Sequence, residues 1–131
     1  MNGKHILMVS GLSGALAVGL GAFGAHGLAD ILAQTDRTET FQTAVSYHFY
    51  HTLALALVGI LNLVKPEWKS LKFVFWSFFW GIIIFSGSLY TLSLSGITWW
   101  GAITPLGGVG FIMGWLGLFY AALRNDQILV K

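Results

Sequence analysis

The chain has 131 residues, of which 56% are hydrophobic and only 9% charged, and its net charge is +2. A soluble domain carries about 25% charged residues to solvate its surface, so this composition excludes an ordinary water-soluble globule. The small net charge also argues against a nucleic-acid partner. With no cysteine present, disulfides, thiolate zinc sites, iron–sulfur clusters and thiol nucleophiles are excluded. The length fits one membrane domain, 1–131, and leaves no room for a soluble catalytic domain beside it.

The charges are confined to four short stretches, which leaves residues 5–29, 40–64 and 73–123 free of Asp, Glu, Lys and Arg. About 20 apolar residues cross the hydrocarbon of a bilayer as a helix. Runs one and two are each long enough for one crossing, and the third is long enough for two. The expected fold is all-α: an integral membrane four-helix bundle with spans near 6–25, 44–64, 73–95 and 104–123.

In chain order, the first span follows Lys4 and has an apolar run of about 20 residues. That is longer than the 7–15 of a signal-peptide core, so it reads as a retained span. After it, Leu28, Ile31 and Leu32 recur at i, i+3, i+4 against Asp30 and Gln34, predicting a short amphipathic helix in the interface. Asp36 with Glu39 three residues on reads as a variant capping box, starting the second membrane helix near Arg37. Ser95-Gly96 ends the third span. Thr104-Pro105 reads as an N-cap followed by proline at the first helical position, with 96–103 as a loop; the alternative is a proline kink in a helix starting near Trp100.

Six Lys and Arg (Lys4, Lys65, Lys69, Lys72, Arg124 and Lys131) fall on one face of this layout and Arg37 alone on the other. Lys and Arg are retained on the cytoplasmic side, which places both termini in the cytoplasm. The expected membrane is the bacterial inner membrane. Trp99 and Trp100 suit an aromatic belt at the outer interface and Trp68 one at the inner.

Helices in lipid associate through close contact at small residues. Ser13, Ala17, Gly21 and Ala25 form one i+4 row on the first span, with Gly11, Ala15 and Gly19 in a second. Gly107, Gly110, Gly114 and Gly117 form a face of the fourth. Ala17, Gly21, Gly107, Gly110 and Gly114 are therefore the expected packing positions, serving either the bundle or a neighbouring protein.

The intramembrane polar residues gather in the outer half: His26, His48, His51, Ser86, Ser88, Tyr90, Thr91 and Thr104. His48 and His51 are i, i+3 neighbours and so share a helix face. An ionisable residue at membrane depth is a functional-site hypothesis by default. Three imidazoles can bind a metal, pass a proton, or hydrogen-bond the head of a quinone or lipid. Equally, neutral histidines can simply bridge helices. His26, His48, His51, Tyr90 and Thr104 are the candidate cluster. No metal is assigned, because His-x-x-His without cysteine or a carboxylate inside the membrane is a weak ligand set, and the cofactor is left unknown. No nucleophile–base–acid arrangement, paired carboxylate or phosphate-binding loop is present, so the chain is expected not to be an enzyme.

The segments Gly21-Ala22-Phe23-Gly24-Ala25-His26-Gly27, His48-Phe49-Tyr50-His51-Thr52-Leu53-Ala54-Leu55, Leu94-Ser95-Gly96, Pro105-Leu106-Gly107-Gly108 and Gly114-Trp115 resemble the transmembrane-protein-256-like family. That family is also known as domain of unknown function 423. The resemblance runs from about Ser10 to Leu123. It implies a small multi-helix membrane protein and brings no established activity with it. Beyond the lipid bilayer, the expected partners are a second copy (a homo-oligomer) or the other subunits of a larger membrane complex. The first functional expectation is a non-enzymatic self-associating or accessory subunit. The alternative is a ligand-binding or redox-associated protein holding a quinone, lipid or metal at the three histidines.

Overall fold

The computed structural model describes residues 2–125, so Lys131, one of the counted charges, lies outside the described residues. Four helices are long and apolar enough to cross a membrane. The first, α1 (Gly3–Ala25), is capped at its start by Asn2, whose side chain accepts from the Lys4 amide. The interfacial helix α2 (Ala29–Thr35) follows, then the second span α3 (Thr38–Val64). The third span consists of α4 (Leu71–Gly81), a π-helical turn (Ile82–Ser86) and α5 (Gly87–Ser95). A 3₁₀ turn (Thr98–Ala102) leads into α6 (Thr104–Arg124).

The interfacial helix seats Leu32, fully buried, beneath it, whereas Ile31, expected on the same apolar face, is exposed. Its ending differs from the expected capping box. Asp36 has φ 55° and closes α2, its amide donating to Ala33 O at 3.2 Å while the Arg37 amide reaches Leu32 O at 3.0 Å. That is a Schellman motif with aspartate in the left-handed position. Because the αL backbone is committed to ending α2, Asp36 does not cap α3; Arg37 takes that position, without a side-chain bond. Left-handed backbone costs a non-glycine residue about 1–2 kcal/mol, so Asp36→Gly is expected to raise thermal stability, by up to about 1 kcal/mol. A lower unfolding temperature for this variant would restore the capping-box assignment.

The α3 helix and the third span form the centre of the bundle, with 44% of each apolar window buried, against 17% for α1 and 22% for the fourth span. The first helix packs along α3 as an antiparallel partner: Ser10 faces Thr52, Ser13 faces His48 and Gly21 faces Val45. Ala17, at 1% exposure, lies in this seam. On the other flank α6 packs on the third span, where β-carbons at Gly107, Gly110 and Gly114 would meet Phe85, Gly81 and Phe78. Both expected small-residue faces are thus internal. The row Gly11–Ala15–Gly19 is exposed, and a β-carbon at Gly11 or Gly19 would meet nothing within 4 Å.

Two further features depart from the expectations. Trp68 is 5% exposed and belongs to the main core with Ile6, Leu71 and Phe78. The turn in which its amide donates to Lys65 O folds it inward rather than into an aromatic belt. The α6 helix does begin at Thr104, but Ile103 occupies the N-cap and the Thr104 hydroxyl makes no capping bond. Instead that hydroxyl is 2.7 Å from Ser88 Oγ and donates at 3.4 Å to Trp100 O. Pro105 sits in the first turn, where its missing N–H leaves no bond unmade.

Candidate functional site

The five candidate residues do not form one cluster. His26 closes α1, with its backbone amide on Phe23 O, and its side chain is exposed. It makes no side-chain hydrogen bond among the described residues and approaches neither His48 nor His51. Thr104 pairs with Ser88 between the third and fourth spans. Tyr90 is the one that joins a histidine: its hydroxyl lies 3.1 Å from His48 Nδ1. No group of three or more His, Cys, Asp or Glu able to hold a metal occurs among the described residues. The shared three-histidine site is therefore corrected: Ser13 of α1 is level with His48 and Gly24 with Phe41, which leaves His26 at the interface about two turns beyond His48.

His48 and His51 also separate. Although three residues apart on α3, they serve different neighbours. His51 is 5% exposed and faces α6, stacked on Phe111 with ring centroids 3.4 Å apart and planes 5° apart. Its Nδ1–H donates to Tyr47 O at 2.7 Å, and its Nε2 accepts from Trp115 Nε1–H at 3.2 Å. Together these contacts select one tautomer and leave the ring no free polar atom. This is a helix bridge.

His48 is 6% exposed and faces the other way, toward α1 and α5. Its Nε2 lies 3.1 Å from Ser13 Oγ, which is 2.6 Å from Thr52 Oγ1. A hydrogen-bonded chain thus runs Tyr90–His48–Ser13–Thr52, and beside its end Ser10 donates to the Thr52 backbone carbonyl at 2.9 Å. Beside it Ser86 donates to Ala44 O at 2.8 Å. The π-helical turn containing Ser86 adds a residue to the helix and so turns the side chains beyond it, Tyr90 among them, to a new bearing. His48 stands ten residues into α3, about 15 Å along its axis, which puts the chain within the hydrocarbon.

The chain lies along a cleft of about 340 Å³ between α1 and the third span, floored by α3. Ser13, His48, Ser86 and Tyr90 are its polar lining, and none of its lining residues is charged. His51 and Trp115 line a different cleft, between α3 and α6. Sequence reasoning left Ser10, Ser13 and Thr52 out of the cluster because it grouped polar residues by their position along the spans. The signal was lateral: His48 and Thr52 are i, i+4 on α3, and Ser13 is their counterpart on the antiparallel α1.

The model of the family described as a protein of unknown function (DUF423) matches residues 20–108 of this chain. The chain belongs to this family. The UPF0382 membrane protein YwdK of Bacillus subtilis (strain 168) is 43% identical over 121 residues, covering 92% of this chain and 98% of that protein. The UPF0382 inner membrane protein YgdD of Escherichia coli (strain K12) is 37% identical over 125 residues, covering 95% and 93%. A UPF0382 membrane protein of Haemophilus influenzae is 36% identical over 130 residues, covering 98% and 100%. No solved structure matches the chain. Member and relatives share nearly their whole length, and with four apolar helices the chain is a multi-pass protein of the bacterial inner membrane.

Proposed function

We propose that this family member is a non-enzymatic membrane protein that works by lateral association, as a self-associating chain or as an accessory subunit of a larger membrane complex. The lysine-rich ends of its spans are proposed to face the cytoplasm, with both termini there. The observation that carries the reading is the row Gly11–Ala15–Gly19 on α1. The other two small-residue faces are used up inside the bundle, while this one is exposed on the least buried span. Small residues at i+4 spacing let a second helix approach backbone to backbone, which is how helices pair in lipid.

The absence of cysteine makes the test clean. A thiol-reactive photocrosslinker on Ala15→Cys, activated in native membranes, is expected to give a discrete adduct, with a copy of the chain or with one other protein. The same label on Leu116→Cys, exposed on α6, is expected to give none. Gly19→Leu, whose added side chain meets open space, is expected to abolish the adduct with thermal unfolding unchanged. Equal labelling from positions 15 and 116 would sink the proposal.

A further inference from the structure

The His48 chain has one more proton than it has contacts. An imidazole with one N–H and three hydroxyls bring four protons to the three contacts Tyr90–His48, His48–Ser13 and Ser13–Thr52. One hydroxyl proton is therefore surplus. Left on Thr52, which is 3% exposed and outside the cleft lining, it would be a buried donor without an acceptor, an unfavourable arrangement. Two directions avoid this, and both put the spare O–H at the cleft. Donation by Thr52 and His48 to Ser13 leaves it on Ser13, while Thr52 to Ser13 to His48 to Tyr90 lets every inner group both donate and accept; the second is the one adopted. That direction leaves the spare O–H on Tyr90.

The remainder of the cleft is apolar: Val9, Leu12, Leu16, Leu55, Ile82 and Ile83 line it. Leu12, Leu16 and Ile83 are more than half exposed, so the cleft opens laterally to lipid rather than to water. Gly87 lines it too, and a β-carbon there would meet nothing within 4 Å. At about 340 Å³ the space is in the lower range of small-molecule sites. No Lys or Arg lines it, so an anionic head would stand uncompensated at membrane depth.

We infer that the cleft binds a neutral, carbonyl-headed amphiphile, with its acceptor oxygen on the Tyr90 hydroxyl and its apolar chain lying between α1 and the third span. The carbonyl can come from an isoprenoid-quinone-type ring or from a glycerolipid ester. The inference is independent of lateral association, since one copy holds the whole cleft.

The test uses the full chain, one copy per nanodisc of ether-linked phosphatidylcholine, which carries no ester carbonyl, titrated with decylubiquinone or dioctanoylglycerol. Ligand retained per protein is read by native mass spectrometry against protein-free discs. Wild type and the lipid-facing control Leu116→Ala are expected to retain at least one of the two neutral probes: decylubiquinone identifies the ring ketone as source, dioctanoylglycerol the ester. Gly87→Leu adds a side chain to the cleft lining from a position where a β-carbon meets nothing within 4 Å, and is expected to weaken retention by about tenfold or more at unchanged thermal unfolding. Tyr90→Phe is expected to weaken it by about three- to tenfold, the range of one hydrogen bond. Retention of neither probe by wild type, or undiminished retention by Gly87→Leu, overturns the site. Wild-type affinity in Tyr90→Phe overturns the placing of the acceptor, and oleate retained as tightly as the neutral probes overturns the neutral head.

Discussion

Gly107→Ala is expected to destabilise the protein by about 3 kcal/mol, at the upper end of what overpacking usually costs, and Gly107→Leu to prevent folding. A β-carbon at Gly107 would overlap the Phe85 amide nitrogen and stand 2.7 Å from Phe85 Cα. These are backbone atoms, so no rotamer change can relieve the clash. Phe85 belongs to the π-helical turn, so pushing α6 away there also disturbs the segment that carries Ser86 to Ala44 and leads on to Tyr90. Gly114→Ala meets the Phe78 ring instead, at 2.5 Å. That side chain can shift, and the expected loss is smaller, about 1–2 kcal/mol. Gly11→Ala, facing open space, is expected to lose nothing. Thermal unfolding followed by circular dichroism in mild detergent ranks the three. Equal losses at positions 107 and 11 would contradict the packing of α6 on the third span.

His51 and His26 are expected to separate by stability. His51→Ala loses the stack on Phe111, about 0.5–1.5 kcal/mol for an aromatic pair. It also loses the Trp115 bond, about 0.6 kcal/mol on average within a membrane, and leaves a cavity beside Phe78 and Phe111. The expected total is about 3 kcal/mol. His51→Gln can keep a hydrogen bond to Trp115 but not the stack, and is expected to recover only part of the loss. His26→Ala, exposed and without a side-chain partner, is expected to stay within about 0.5 kcal/mol of wild type. Retention of the amphiphile probes discriminates further. His51 lines the cleft between α3 and α6 rather than the one beside α1, so His51→Gln is expected to leave probe retention intact while lowering stability. Stability equal to wild type in His51→Ala would show that the stacked bridge is not structural.

The residues that sequence reasoning placed well are those whose role follows from one helix alone. Gly107, Gly110 and Gly114 share a face by their spacing, and that face is where α6 meets the third span. Leu28, Ile31 and Leu32 declare an amphipathic helix by periodicity. Asp36 was misplaced because the same aspartate suits a cap before a helix and a left-handed stop after one. Only the short span between α2 and α3 decides between them. The π-helical turn had no signature in 82–86, and the close approach of Gly107 to Phe85 within it joins two helices that a linear reading treats separately.

The number of spans, their lengths and the small-residue faces were determined by the sequence by itself, because hydropathy and helical spacing act within one segment. The grouping of the histidines was decided only by the tertiary structure. His26, His48 and His51 fall in the same half of the bilayer, and position along a span is all a linear reading supplies. Bearing around the helix axis depends on which neighbour each face packs against. There α1 draws His48 toward Ser13, α6 draws His51 against Phe111 and Trp115, and His26 remains at the surface.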